Sequence, residues 1–536
     1  MARTRTLLLP LVLALVAVPL ARTSAGPDED AELKKARKEL KKNAGKLQKM
    51  CKALDDLVVE TRRISVTREA DKKKKQEEQC EELRRSALEV AIQVGAADNQ
   101  DAAEFLLPWT MTVVDQALYE KGRDLLGRFT EAGAQKVLLE ALVGDLVEEG
   151  KKKKKSKDEQ GQLHLRCLVA EVCEVLSGEA VAGALATVIE KESNLVLVNA
   201  AVKAAANKED KRVVTALIGL LGRIEKAGGW EYFSVRGALL KLTGEDFLTH
   251  ERWSEWWKQN EAGFDFAKKG QKTELGTRER KAEEKPPLFF GSEIQSNRLC
   301  FVIDCSGSMQ MTDRPPEHAL QPADFEKADP DSAEIKALQR IERAKHNLVE
   351  AIKNLLPTQK FNVINYSSGV ANWQPAVVDA TEANKAAAIK YVEGLRADGG
   401  TYTDDALKRA FSDPLVDTIY LLSDGAPLKK IGSSEKVENW PKTPEGKPDL
   451  NQPVAGPQQI EYAEEAIGEI METVRLENRF RKVKIFTFGM DGPGVWHKKW
   501  QQPRPSTLPV DTKWLGCLSN FMRNLAALTG GEYKSI

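Results

Sequence analysis

Apolar and polar residues alternate along this chain with two different rhythms. From residue 28 to residue 95 the period is helical. Leu33, Leu40, Leu47 and Leu54 recur every seven residues, and Met50, Leu57 and Ile64 form a second line at the same spacing. Together they make an a/d seam of the kind that joins helices side by side, weakened at Gly45. A second helical pattern follows at Cys80, Leu83, Ala87, Val90 and Val94, after the cationic run Lys72 to Lys75. Two arrangements satisfy such charged, one-sided helices. They pair with a second copy as a coiled coil, or they fold back on each other and onto the next domain. The shortness of the seam favours the second.

Helical patterning continues over residues 99–262, now with small residues and short polar turns. Leu165-Arg166-Cys167-Leu168, Leu197-Val198-Asn199-Ala200 and Val235-Arg236-Gly237-Ala238 occupy similar places before an apolar helix. Their offsets lie in the range where helical pairs stack into a solenoid. The stretch resembles HEAT or armadillo-type repeats, which implies a helical-repeat domain. Trp253, Trp256 and Trp257 share one helical face and predict a cap over the last repeat. The run Lys151 to Lys155 reads as a solvated loop. Residues 263–296 are polar and charged, with Gly270, Gly276 and Pro286-Pro287, and read as an interdomain linker.

From residue 297 to residue 536 the rhythm changes. Apolar runs predict strands at residues 299–304, 361–366, 418–423 and 483–488. Amphipathic stretches predict helices at residues 332–356, 381–395, 404–411, 460–480 and 519–529. Strands alternating with helices imply a mostly parallel sheet covered on both faces. Three insertions, residues 310–331, 427–459 and 492–517, follow strand ends and are expected to form a rim there.

Composition narrows the picture. A chain of 536 residues exceeds one hydrophobic core. Lys+Arg and Asp+Glu are equal at 80 each, so no global basic footprint for nucleic acid exists. Residues 1–25 read as an export signal: Arg3 and Arg5 precede an apolar stretch at residues 7–21, and Thr23-Ser24-Ala25 offers small residues for cleavage. Export places the protein in the periplasm, the cell envelope or the medium, with no later apolar stretch long enough to cross a bilayer. The seven cysteines show no C-x-x-C. Cys300 and Cys305 are five apart, on opposite faces of a strand. Most therefore read as small buried apolar residues, and the odd number leaves at least one thiol free.

The chemistry concentrates in Asp304-Cys305-Ser306-Gly307-Ser308, at the end of the first predicted strand. One carboxylate and two hydroxyls there offer hard oxygen, suited to Mg²⁺ or a similar cation and unlike a zinc site. In an open α/β sheet, that edge is where ligands bind. The spelling D-x-S-x-S closely matches the metal-ion-dependent adhesion site of von Willebrand factor A (VWA) domains. Gly399-Gly400-Thr401 matches the family's second loop, and Leu421-Leu422-Ser423-Asp424-Gly425 its third. The resemblance implies a doubly wound, Rossmann-like α/β domain over residues 297–536 behind an all-α N-terminal half. It also implies a divalent metal, Mg²⁺ first with Mn²⁺ or Ca²⁺ as substitutes. Ser306, Ser308 and Thr401 would coordinate it directly, and Asp304 and Asp424 would act through waters or as anchors. Thr403 is the alternative hydroxyl, with Thr401 then a helix cap; the Gly-Gly pair favours Thr401.

Two carboxylates roughly balance a divalent cation, and three neutral hydroxyls leave it electrophilic. A partner protein's Asp or Glu then has a water to replace. The expectation is a binding or scaffold protein, with self-association through the N-terminal helices as a further option. A structural envelope protein whose metal only stabilises loops is one alternative. A hydrolase with Ser306 as nucleophile is another, disfavoured because no G-x-S-x-G, H-E-x-x-H or P-loop occurs. Of the five histidines, only His318 and His497 lie in the rim insertions.

Overall fold

Helix signals and strand signals sort into two units of a computed structural model, residues 1–225 with 231–278 and residues 226–230 with 279–536. The structure describes residues 27–62, 70–146, 159–226, 228–270, 286–313, 336–427, 457–490, 494–495 and 512–536. The stretch read as an export signal, the Lys151 to Lys155 run and most of the three insertions lie outside the described residues.

The first unit is helical: α1 (Pro27–Arg62), α2 (Ala70–Gly95), α3 (Gln100–Thr112), α4 (Gln116–Leu126), α5 (Ala132–Val143), α6 (Glu159–Val172), α7 (Glu179–Lys191), α8 (Leu195–Ala205), α9 (Lys211–Ile224), α10 (Gly229–Thr243) and α11 (His250–Asn260). Their starts follow capping chemistry. Asn99, Asp115, Asn194, Asp210 and Thr249 each accept a hydrogen bond from a first-turn N–H of the helix they precede. The long charged helices fold back on each other. α1 packs against α2, burying Leu47, Leu54, Cys80, Ala87, Val90 and Val94. They also join the helices that follow: the Trp109 indole N–H donates to Cys51 Sγ at 3.4 Å, and Arg84 Nε donates to Asp115 at 2.9 Å.

Beyond them the helices stack in two layers. α1, α3, α5, α7, α9 and α11 pack in succession, and so do α2, α4, α6 and α8. The three repeated tetrads lie inside α6, α8 and α10, not before a helix as the spacing suggested. They contribute the buried residues Cys167, Leu168, Leu197, Val198, Val235 and Ala238. Trp253 and Trp257 are buried, and the Trp257 indole donates to Thr215 of α9 at 2.9 Å. The tryptophans thus cover α9, as a cap would.

The second unit holds a seven-stranded sheet. In chain order the strands are β1 (Leu288–Phe289), β2 (Ser292–Glu293), β3 (Arg298–Asp304), β4 (Thr312–Asp313), β5 (Lys360–Tyr366), β6 (Val370–Asn372), β7 (Val378–Asp379), β8 (Thr418–Ser423), β9 (Lys484–Gly489), β10 (Gly494–Val495) and β11 (Tyr533–Ser535). The sheet runs β11-β9-β8-β3-β5-β6, with β7 also on β5. β3, β5, β8, β9 and β11 are parallel, and β6 and β7 are antiparallel edges. β3 pairs with both β5 and β8, Val302 standing between Ile364 and Leu421. The chain therefore winds outward in both directions from β3, which puts the topological switch point between β3 and β8.

Alternation along each strand feeds two cores. Leu299, Phe301 and Ile303 face one core with α12 (Arg340–Lys353) and α13 (Glu382–Glu393), whereas Cys300 and Val302 face the other. The second core is closed by α14 (Thr403–Phe411), α15 (Pro457–Arg481) and α16 (Thr512–Thr529). Cys300 and Cys305 fall in opposite cores, and six of the seven cysteines are buried as free thiols.

Three sequence expectations need correction. The helix expected at residues 332–356 is interrupted: residues 336–337 are helical, Gln339 is extended (φ −63°, ψ 142°), and α12 runs from Arg340, whereas residues 332–335 lie outside the described residues. The stretch read as linker at residues 263–296 divides between the units: its described start, residues 263–270, belongs to the helical unit, and its described end, residues 286–296, to the α/β unit. Phe289 is fully buried, with its ring 5.2 Å from Phe301 and 4.9 Å from Phe488. The short edge strands β6, β7 and β11 carry too few residues for a periodic signal. At the rim, β4 pairs antiparallel with β10, so the bases of the first and third insertions meet.

Phe289→Ala is expected to destabilise the α/β unit by about 3–5 kcal/mol through lost burial and a cavity. Leu288→Ala, at a position 50% exposed, is expected to change it by less than about 0.5 kcal/mol. Scanning calorimetry of both variants checks this.

Candidate metal centre

Three loops meet at the C-terminal ends of β3 and β8, at the switch point. The first leaves β3 at Asp304, which is fully buried. The Ser306 backbone N–H donates to Asp304 Oδ1 at 2.7 Å, and the Ser423 hydroxyl donates to Oδ2 at 2.6 Å. Both carboxylate oxygens thus hold neighbouring chain in place. A 3-10 turn, Gly307–Gln310, follows and sets Ser308 beside Ser306, their hydroxyl oxygens 3.1 Å apart.

The second loop is laced to the first. Gly307 N–H donates to Gly399 O at 2.9 Å and Asp398 N–H to Cys305 O at 2.8 Å. Gly399 has φ +81°, and a Cβ there would lie 2.5 Å from Ser368 Oγ. Glycine is therefore required on both conformational and steric grounds. The Ser368 hydroxyl accepts from Gly400 N–H at 2.9 Å. Thr401 is buried and Thr403 opens α14. The third loop leaves β8 with Ser423, Asp424 and Gly425. A Cβ on Gly425 would lie 3.2 Å from Thr401 Oγ1 and 3.7 Å from Ser308 Oγ, so both hydroxyls border the same small residue.

Asp424 is the hub. Its Oδ1 accepts from the Ser308 hydroxyl at 2.7 Å and from Ser306 at 3.5 Å. Its Oδ2 accepts from Arg340 Nη1 at 2.9 Å. The structure thus brings together all five residues singled out in the sequence: Asp304, Ser306, Ser308, Thr401 and Asp424. It adds three to which the sequence reading gave no role. Ser423 anchors Asp304, Ser368 supports the glycine loop, and Arg340 pairs with Asp424. The first and last are buried between elements distant in sequence, so no local spacing announces them.

Burial pushes the Asp304 carboxyl up to about 7, and the neighbouring charge of Asp424 pushes the same way; the Ser423 and Ser306 donors oppose them. The same burial holds the Cys305 thiol up at about 12, which leaves it inert beside the loop. Among the described residues no group of three or more His, Cys, Asp and Glu is placed to hold a metal. The donors gathered here are instead hydroxyls with two carboxylates. That set fits a hard divalent cation with retained waters.

A family profile described as von Willebrand factor type A domain matches residues 299–426, an interval that encloses all three loops. The second unit contains a von Willebrand factor type A domain. Mouse inter alpha-trypsin inhibitor, heavy chain 4, is 28% identical over 144 residues, covering 25% of this chain and 12% of that protein. Human von Willebrand factor A domain-containing protein 3A is 27% identical over 140 residues, covering 26% of this chain and 9% of its own length. The chain thus spans about an eighth or less of these curated relatives. Among solved structures, the PilB minor pilin from Streptococcus sanguinis aligns at 18% identity over 46% of this chain and 58% of its own, with a TM-score of 0.29. The match to the VWA profile ends two residues after Asp424. The rim insertions at residues 427–459 and 492–517 therefore lie beyond it.

The Asp304 environment sets a pH dependence for the metal-free protein. An unperturbed Asp ionises at about 4, and folded Asp304 at about 7. Between these values the folded state holds the extra proton, so stability falls as pH rises across that window and levels off above it. Chelator-treated protein is expected to melt lower at pH 8 than at pH 5.5. Asp304→Asn is expected to remove most of that difference, as thermal unfolding of both proteins at the two pH values checks.

Proposed function

We propose that this is an exported binding protein whose VWA domain grips an acidic side chain of a protein partner through a divalent cation. Mg²⁺ is the preferred ion, with Mn²⁺ or Ca²⁺ as substitutes. The observation that carries this reading is the convergence of Ser306, Ser308 and Thr401 around Asp424, with Asp304 anchored behind them. Ser306, Ser308 and Thr401 would hold the ion directly. Asp424 and Asp304 would supply negative charge, and the ion would keep an open position for an outside carboxylate.

Binding, not hydrolysis, suits the residues. Among the described residues Ser306 is flanked by a hydroxyl and a carboxylate, and neither is the imidazole base that a serine nucleophile uses. His346, the histidine described in the α/β unit, is exposed on α12. The layered helices of the first unit supply a second interaction surface in this reading. Among the described residues no helix is long and apolar enough to cross a membrane, and export rests on the pattern of residues 1–25.

Calorimetric titration of the full chain with Mg²⁺, Mn²⁺ and Ca²⁺ tests the proposal. One saturable site is expected, weakened about 10–100-fold by Asp304→Ala, the scale of losing a group that orients direct ligands. Folded wild-type protein that binds none of the three ions would contradict it.

A further inference from the structure

The sequence offers the metal pocket two charges; the structure supplies a third. Arg340 opens α12 with its side chain only 3% exposed, and Nη1 lies 2.9 Å from Oδ2 of Asp424, whose side chain is 0% exposed. The other oxygen of the same carboxylate faces Ser306 and Ser308. Asp424 therefore stands between a fixed guanidinium and the hydroxyl cluster. Arg340 is itself tied to the first loop. Its N–H donates to Met311 O at 2.9 Å, and Met311 N–H donates to Ser308 O at 2.9 Å. A guanidinium cannot shed its proton in a protein, and a buried charge is little screened by salt. Its charge is thus a permanent part of the site.

We propose that Arg340 sets the net charge of the occupied centre and thereby makes it select an anionic ligand. This rests on the metal reading given above. Among the described residues named here, with Asp304 and Asp424 ionised, the two carboxylates and Arg340 sum to one net negative charge. A divalent cation turns that into one net positive charge. An incoming carboxylate cancels it, whereas a neutral amide or hydroxyl does not. Without Arg340 the occupied centre would already be neutral. Arg340 therefore weakens metal binding and strengthens the hold on a partner's Asp or Glu. The two effects have opposite signs, which separates this role from simple propping of Asp424.

Mn²⁺ and acetate serve as probes on the full chain, read by the water proton relaxation of bound Mn²⁺. Acetate that displaces a metal-bound water lowers the relaxation enhancement. Arg340→Gln keeps a hydrogen-bond donor without the charge; Arg340→Lys keeps the charge. In Arg340→Gln, Mn²⁺ is expected to bind about tenfold or more tighter, and acetate to bind the loaded protein about tenfold more weakly. Arg340→Lys is expected to stay near wild type in both. Unchanged affinities in Arg340→Gln would overturn the proposal. So would weaker Mn²⁺ binding in Arg340→Gln that Lys restores, since Arg340 would then only position Asp424. If Arg340→Gln does not fold, acetate and acetamide compared on Mn²⁺-loaded wild-type protein decide: acetate is expected to displace the metal-bound water at least about tenfold better than the neutral amide, and equal binding of the two would overturn the proposal. Wild-type protein that binds no Mn²⁺ would overturn the metal reading itself, a separate outcome.

Discussion

Two carboxylates buried a few atoms apart at one end of a sheet dominate the α/β unit. Burial of either ion alone is costly, and their mutual repulsion adds to that cost. The surrounding loops answer this constraint. Asp304 takes an N–H from Ser306 and a hydroxyl from Ser423. Asp424 takes Ser308 on one oxygen and Arg340 on the other. Each of these contacts joins segments far apart in sequence or turns the chain sharply, so the satisfaction of the two acids also fixes where three loops run. A site that must gather hydroxyls around charge is thereby assembled by the fold's own electrostatics.

Topology explains why the acids meet. β3 lies between β5 and β8, and the connection leaving β3 runs toward β5 whereas the one leaving β8 runs the opposite way, toward β9. The crevice so formed receives the loops after β3 and β8, while Gly399 brings the loop before α14 close enough to hydrogen bond with Gly307. β4, inside the family match, then pairs with β10, beyond it, so the bases of the first and third insertions meet.

Much of this was legible in the sequence, for identifiable reasons. The run from Leu299 to Ile303 announced a buried strand because both of its faces are covered. The three loops were legible because their spelling resembles, in the same order, the loops of the VWA family. The folding back of the first two helices followed from a seam too short to sustain a coiled coil. Less was visible where signals are not local. Phe289 looked like linker because two-residue strands have no period, and its burial depends on Phe301 and Phe488 far along the chain. Arg340 looked like one more charge on an amphipathic helix. Only its place at the helix start, after an insertion, brings it to Asp424. The omission matters because it changes the charge count: carboxylates alone would balance a divalent ion, but with Arg340 they do not.

The most direct test of the central claim is anomalous diffraction from crystals of the full chain grown with Mn²⁺. The account predicts one strong anomalous peak at the C-terminal ends of β3 and β8, bounded by the hydroxyls of Ser306, Ser308 and Thr401, with Asp424 still paired to Arg340. Crystals that show ordered loops there and no peak, or a peak held elsewhere by other residues, would contradict it.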